Sequence, residues 1–227
     1  MKSLFTNSLL FSFLLTAASP AATTVTETDL TTSAIPDGNV SGVSRSLTFN
    51  DADQTIVSVE VGFQLSASGG SDAYLGDLYI YLTDGTNLVT LFNRPGQDAG
   101  LPGGYDDNQS VGINFADTAV NDFHIYRESV TGDADTPLSG PLTGDFQPDG
   151  RITDPTLVAT GDTRETALAD FVGLSADRTF TLFAADLSGG NTHQIDSWSV
   201  TLPTVPEPSA LLLCLCGSLG LFMRRRS

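Results

Sequence analysis

Between residues 23 and 204 the chain has no cysteine and no lysine, and only six arginines stand there against 26 acidic residues. The missing cysteines exclude disulfides from that stretch, so a folded body there rests on buried apolar area, with or without bound cations. The scarcity of basic residues leaves a formal charge close to −20 across it, a field that repels nucleic acid and other polyanions. Glutamate is scarce too, with five residues in the whole chain against 22 aspartates. Aspartate serves turns and cation ligation whereas glutamate serves helices, and the bias predicts a loop-rich, all-β protein. Long apolar runs are absent from the middle of the chain and occur only at its two ends. Histidine is limited to His124 and His193, which narrows any imidazole chemistry to two positions.

The two apolar ends read as targeting segments. Lys2 precedes an apolar stretch from Leu9 to Leu15 and small residues from Thr16 to Ala22, the pattern of a secretory signal peptide cleaved between Ala18 and Ala22. At the other end, Pro206 and Pro208 lack backbone donors, so a helix starts only at about Ser209. From Ser209 to Met223 there are 15 residues without a polar face, roughly 22 Å as a helix against a hydrocarbon core of ~30 Å. Arg224, Arg225 and Arg226 extend that span by snorkelling and place the end in the cytoplasm. Cys214 and Cys216 read as apolar filler within it. The Pro206-Glu207-Pro208 break, apolar stretch and arginine stop resemble the PEP-CTERM sorting signal of bacterial exosortase substrates. The resemblance implies an exosortase-type sorting enzyme as partner, transient insertion in the inner membrane, and delivery to the cell surface or extracellular matrix. The expected organisation is a signal peptide over 1–22, an exported body over 23–204, and the sorting signal over 205–227.

Within the body, alternation of apolar and polar residues marks strands buried on one face. It runs from Val57 to Leu65, over Leu78, Ile80 and Leu82 with Asp77, Tyr79 and Tyr81 on the other face, and over Val111, Ile113 and Phe115. It returns at Phe180, Leu182 and Ala184 and at Trp198, Val200 and Leu202. Shorter candidates are Val43 to Phe49, Leu88 to Phe92 and Phe123 to Tyr126. Turn signals such as Asp84-Gly85 and Ser188-Gly189-Gly190-Asn191 separate them, and only Thr163 to Val172 reads as helical. About eight strands without long helices predict a jelly-roll-like β-sandwich, although periodicity alone leaves an immunoglobulin-like order open.

In order along residues 34–202 come Ile35-Pro36-Asp37, Ser41-Gly42-Val43, Tyr74-Leu75-Gly76-Asp77-Leu78-Tyr79-Ile80-Tyr81-Leu82 and Thr90-Leu91-Phe92-Asn93-Arg94. Asn114-Phe115-Ala116-Asp117, Pro141-Leu142-Thr143-Gly144, Ala169-Asp170-Phe171-Val172-Gly173, Phe180-Thr181-Leu182 and Ser197-Trp198-Ser199-Val200-Thr201-Leu202 follow. This series resembles the P domain, or Homo B, the β-sandwich that follows the catalytic domain of kexin-like and furin-like proprotein convertases. The resemblance implies a jelly-roll-like sandwich with no catalytic machinery of its own. Asp72 stands where the family commonly has a histidine, and the segment from Gln97 to Ser139 has few family landmarks.

No catalytic residues are assigned. His193, Asp196 and Ser197 are suitable by type, but side chains three and four apart on one strand do not converge as a triad, and no nucleophile elbow surrounds Ser197. His124 reads as a surface strand residue and His193 as an exposed loop residue. Calcium is the expected cofactor, since hard cations need several convergent oxygens. The resemblance places acidic residues at Asp77, Asp117, Asp186 and Asp196, which with Asp72 would meet at one end of the sandwich. The opposing expectation is that each aspartate accepts backbone N–H groups at a turn or strand end. Tyr79 and Tyr81 are candidates for an aromatic platform or for covering one sheet face. The expected function is a non-catalytic, exported adhesive or structural module contacting extracellular polysaccharide or a surface protein. The alternative is a stand-alone P domain assisting a subtilisin-like serine endopeptidase.

Overall fold

The computed structural model describes residues 21–68, 73–190 and 192–207. In chain order the strands are β1 (Thr23–Asp29), β2 (Ser33–Ala34), β3 (Asn39–Phe49), β4 (Gln54–Ile56), β5 (Glu60–Ser68), β6 (Leu78–Thr83), β7 (Leu88–Asn93), β8 (Val111–Phe115), β9 (Asn121–Asp122), β10 (Leu142–Gln147), β11 (Arg178–Asp186) and β12 (Thr192–Pro206). One short α-helix, α1 (Tyr126–Thr131), and three single 3-10 turns, Leu75–Asp77, Phe123–Ile125 and Leu168–Phe171, complete the described elements.

Two sheets form a β-sandwich. The larger has the order β1-β12-β5-β8-β10-β9, with β2 and β4 also paired to β12. The smaller runs β3-β11-β6-β7 and is antiparallel throughout. In the larger sheet β10 runs parallel to both β8 and β9, so an all-antiparallel order of either expected kind does not hold at that edge. Twelve strands stand against the expected eight: β2, β4 and β9 are pairings too short to carry a periodic pattern, β1 and β10 carry little apolar alternation, and Phe123 to Tyr126 drops out.

The alternation of apolar residues is the reason the sheets face each other. Leu78, Ile80 and Leu82 are fully buried, as are Phe180, Leu182 and Ala184 on the neighbouring strand, and one continuous core joins them to Val61, Phe63 and Leu65 across the sandwich. Aromatic edges lock the two layers: Phe92 of β7 meets Phe63 at 5.5 Å and Phe123 at 4.3 Å between ring centroids. Such edge-to-face pairs add about 0.5–1.5 kcal/mol each beyond the area they bury. Trp198, expected in the core, is 1% exposed.

Three expectations fail locally. Phe123 to Tyr126 is no strand: Asp122 accepts the His124 N–H through its carboxylate and winds the segment into a 3-10 turn that feeds α1. Of Thr163 to Val172 only Leu168–Phe171 is helical, because Thr166 and Glu165 donate their amides to the Gly150 carbonyl instead of to their own turn. The strand expected from Val57 begins at Glu60.

The two terminal strands lie together. β1 pairs along β12 from Thr23 opposite Thr204 to Asp29 opposite Trp198, and β4 holds the last turn of β12, with Gln54 opposite Pro206. The Glu207 amide donates to the Asp53 carbonyl. Both chain ends therefore leave the sandwich at one end, and the loops before β6 and after β11 occupy the other. Among the described residues no helix is long and apolar enough to cross a membrane. The stretch Ser209 to Met223, with Pro208 and Arg224 to Arg226, lies outside the described residues, as does the signal segment through position 20.

Candidate functional site

The end of the sandwich opposite Thr23 and Pro206 brings together Asp77, Asp186 and His193 among the residues that the sequence singles out. Asp77 closes the turn before β6, and its carbonyl accepts the Leu187 amide, which ties it to the end of β11 beside Asp186. His193 enters at the start of β12, with Nδ1 3.8 Å from Asp186 Oδ2. Arg94, at a left-handed φ of 48°, lays its Nε on the Gly76 carbonyl at 3.0 Å and brings Nη2 to 3.7 Å from Asp77. Two expectations are corrected here. His193 is 1% exposed and sits in a strand rather than a loop, and neither ring nitrogen has a hydrogen-bond partner among the described residues.

Burial, followed by the neighbouring charge of Asp186, pushes the Asp77 carboxyl up to about 6, against the pull of Arg94, His193 and a Ser188 hydroxyl. The unfolded chain releases that proton near 3.9. Between about pH 4 and 6 the folded state thus holds a proton that the unfolded state has lost, and stability falls as pH rises through that window. Asp77→Asn removes the cost of the charge. Its expected effect is a gain of about 1 kcal/mol at pH 7.5 after solvent screening, with no gain at pH 4. Thermal melts of both proteins at the two pH values check this; a variant that is relatively less stable at pH 7.5 than at pH 4 contradicts it.

Of the aspartates expected to share a cation, Asp77 and Asp186 lie together, whereas Asp117 stands apart from them. Asp117 follows β8 at the end where Phe115 pairs Val61, whereas His193 and Asp186 lie at the end where Thr192 pairs Ser68. Seven residues of β5 separate these positions, roughly 20 Å. The carboxylate of Asp117 accepts the amides of Leu168 at 3.0 Å and Ala169 at 2.6 Å, capping a 3-10 turn. Asp186 accepts the Ser188 amide at 3.1 Å, and Asp196, beside a bulge in β12, accepts from the Gln194 side chain at 2.8 Å. Asp72 lies outside the described residues. Among the described residues no group of three or more histidine, cysteine, aspartate or glutamate side chains is placed to hold a metal ion. The carboxylates of Asp117, Asp186 and Asp196 are each engaged by nearby amides or side chains, as strand-end aspartates commonly are.

Sequence reasoning missed a buried charge cluster. His124, expected at the surface, is fully buried, with Nδ1 2.7 Å from Asp149 Oδ2 and Nε2 3.2 Å from the Gln97 carbonyl. Asp149 also accepts the Asn93 amide at 3.1 Å and the Arg151 guanidinium at 3.2 Å. Arg151 in turn reaches Asp122 at 2.9 Å. The cluster pins residues 148–151 against β7 and covers that edge of the smaller sheet. Its enclosure makes it a structural centre. A second buried carboxylate, Asp107, accepts from Tyr126 Oη, Arg127 Nε and the Leu138 amide and fixes the segment after α1 in the same way.

The outer face of the smaller sheet is different in kind. Tyr79 and Tyr81 point away from the core, as their register requires, and Phe183 stands opposite Tyr81 on β11. All three are half-buried. Tyr81 and Phe183 overlap with centroids 4.8 Å apart and planes at 20°, and Tyr79 leans on Tyr81 at 5.8 Å. Beside them the hydroxyls of Ser46 and Thr181 meet at 3.0 Å, and those of Thr48 and Thr179 at 2.9 Å.

No family model and no curated protein matches the chain. Among solved structures, a chain from the crystal structure of the Aeromonas sobria serine protease with its chaperone is similar at 16% identity and a TM-score of 0.43. The match covers 84% of this chain and 28% of that one, so this chain spans under a third of its length.

Proposed function

We propose that this chain is an exported, non-catalytic β-sandwich module of the P-domain kind, routed by its proline-flanked tail through an exosortase-type enzyme to the cell envelope or an extracellular polymer layer. The observation that carries the reading is the closure of the folded body at the two targeting segments. β1 begins at Thr23, just after the expected cleavage zone, and pairs with β12, whose last residue is Pro206 of the sorting motif. The two segments thus flank a self-paired body and emerge side by side, leaving the opposite end and both sheet faces to be presented outward. The burial of both imidazoles supports the non-catalytic part, since a general base has to reach a substrate proton.

Fractionation of cells followed by intact mass spectrometry of the purified protein tests this. The expected product starts between residues 19 and 23, lies in the envelope or medium, and ends near Pro208. Full-length polypeptide in the cytosol overturns it. Stoichiometric co-purification with a subtilisin-like protease would instead favour the protease-assisting role that the P-domain resemblance implies.

A further inference from the structure

We propose that the outer face of the smaller sheet binds a neutral polysaccharide chain, with Tyr81, backed by Phe183, stacking on a sugar ring and the adjoining serine and threonine hydroxyls holding sugar hydroxyl groups. The proposal supplies a partner for the exported module inferred above, yet its test is indifferent to the route of export.

Three observations point to this occupant. The face is uncharged along the centre of the sheet: Ser44, Ser46 and Thr48 on β3 lie opposite Phe183, Thr181 and Thr179 on β11, with Tyr81 and Thr83 on β6 beyond. In a body with 26 acidic residues between 23 and 204, a neutral surface spanning three strands marks a place where charge would be unfavourable. Arg178 and Asp84, at one margin of this face, neutralise each other as an ion pair. An acidic polymer is repelled by the rest of the body, and a neutral one is not.

The rings are held rather than loose. Gly42 on β3 has no side chain, and a Cβ there would come within 2.8 Å of Phe183 Cζ, so the ring tip lies directly over the glycine. Phe183 therefore leans across β3, and Tyr81 overlaps it in turn. This shingled pair keeps one face of Tyr81 against Phe183 and its remaining exposed surface toward Tyr79 and solvent. Fixed aromatic surface bears little ordering entropy on binding, and the C–H faces of a sugar ring match it.

Polar groups of the right kind lie alongside. The Ser46–Thr181 and Thr48–Thr179 pairs are exposed hydroxyls, each able to donate and accept. Sugar recognition combines ring stacking with hydroxyls that switch between donor and acceptor, and this face carries both.

Affinity electrophoresis of the full chain in mild detergent, through gels holding a neutral β-glucan, a neutral mannan or alginate, tests the proposal. Retardation is expected in a neutral gel and not in alginate. Tyr81→Ala should weaken it roughly fivefold or more, the loss that one stacking ring entails, and Tyr81→Phe should retain most of it. Thr181→Glu, which keeps every ring and adds one exposed charge, should abolish retardation even if Tyr81→Ala disturbs folding. Absence of retardation in both neutral gels, equal or greater retardation in alginate, or undiminished retardation of the Thr181→Glu protein overturns the proposal. The mass-spectrometric result for export is independent of all of these outcomes.

Discussion

Asp149→Ala should remove about 3–5 kcal/mol of folding stability, the range for deleting one partner of a buried charge pair. The carboxylate is fully buried and serves as acceptor to His124, Arg151 and the Asn93 amide at once. Its loss leaves an imidazole ring facing a cavity and a guanidinium balanced only by Asp122. Residues 148–151 then stay on the edge of β7 through main-chain bonds, the Asp149 and Gly150 amides donating to the Leu91 and Thr90 carbonyls, without the side-chain anchor. For a body of this size the expected fall in melting temperature is roughly 10 °C or more. Asp149→Asn keeps the shape but turns an amide donor toward donors, and it should be nearly as damaging. Adding His124→Ala to the Asp149→Ala background should cost less than it does alone, because the two side chains act as a unit. Urea or thermal unfolding followed by circular dichroism measures all three. A loss below about 1 kcal/mol for Asp149→Ala would mean that the cluster is a passive consequence of the fold.

The cluster also marks the limit of what the sequence discloses. Period-two alternation identifies β5, β6, β8, β11 and β12 because each buries one face against the same core, and the burial of alternate residues in β6 follows that pattern throughout. It fails where a strand carries little apolar weight. β10 buries only Leu142 and Phe146, with Gly144 between them, and its neighbours in the sheet are parallel rather than hairpin partners. It also fails in the Phe-His-Ile-Tyr stretch, which alternates like a strand but is capped by Asp122, a signal visible in the sequence as an aspartate one residue before the turn. Asp117 departs from the expected set of aspartates for a different reason. Strand-end aspartates look convergent on paper, but whether two strand ends share an end of the sandwich depends on strand direction and length, and β5 puts Asp117 far from Asp186. Nothing in Pro148-Asp149-Gly150 separates it from a surface turn by residue type; only the covering of β7 makes its carboxylate the buried one.

Gly104→Ala should cost several kcal/mol of stability, because nothing around it can yield. Its φ is +69°, a conformation that costs an L side chain about 1–2 kcal/mol before any contact is considered. The new Cβ would lie 2.7 Å from the Pro95 carbonyl oxygen and 2.8 Å from the Gly76 Cα, both backbone atoms. Those neighbours are themselves fixed: the Tyr105 amide donates to that same Pro95 carbonyl and the Gly76 amide to the Tyr105 carbonyl. Three loops therefore meet backbone to backbone at this point, and a methyl at Gly76 would equally strike the Gly103 carbonyl oxygen at 2.6 Å. Separating them would also withdraw the Gly76 and Gly103 carbonyls that hold the Arg94 guanidinium over Asp77. The loss should accordingly appear as a lower unfolding midpoint in thermal or urea melts. Gly103→Ala, at a neighbouring glycine where a Cβ meets nothing within 4 Å, is the matched control and should stay within about 0.5 kcal/mol of the parent. Equal stability of the two variants would show that the three-loop contact opens freely, and the reading of this end as rigid would then be wrong.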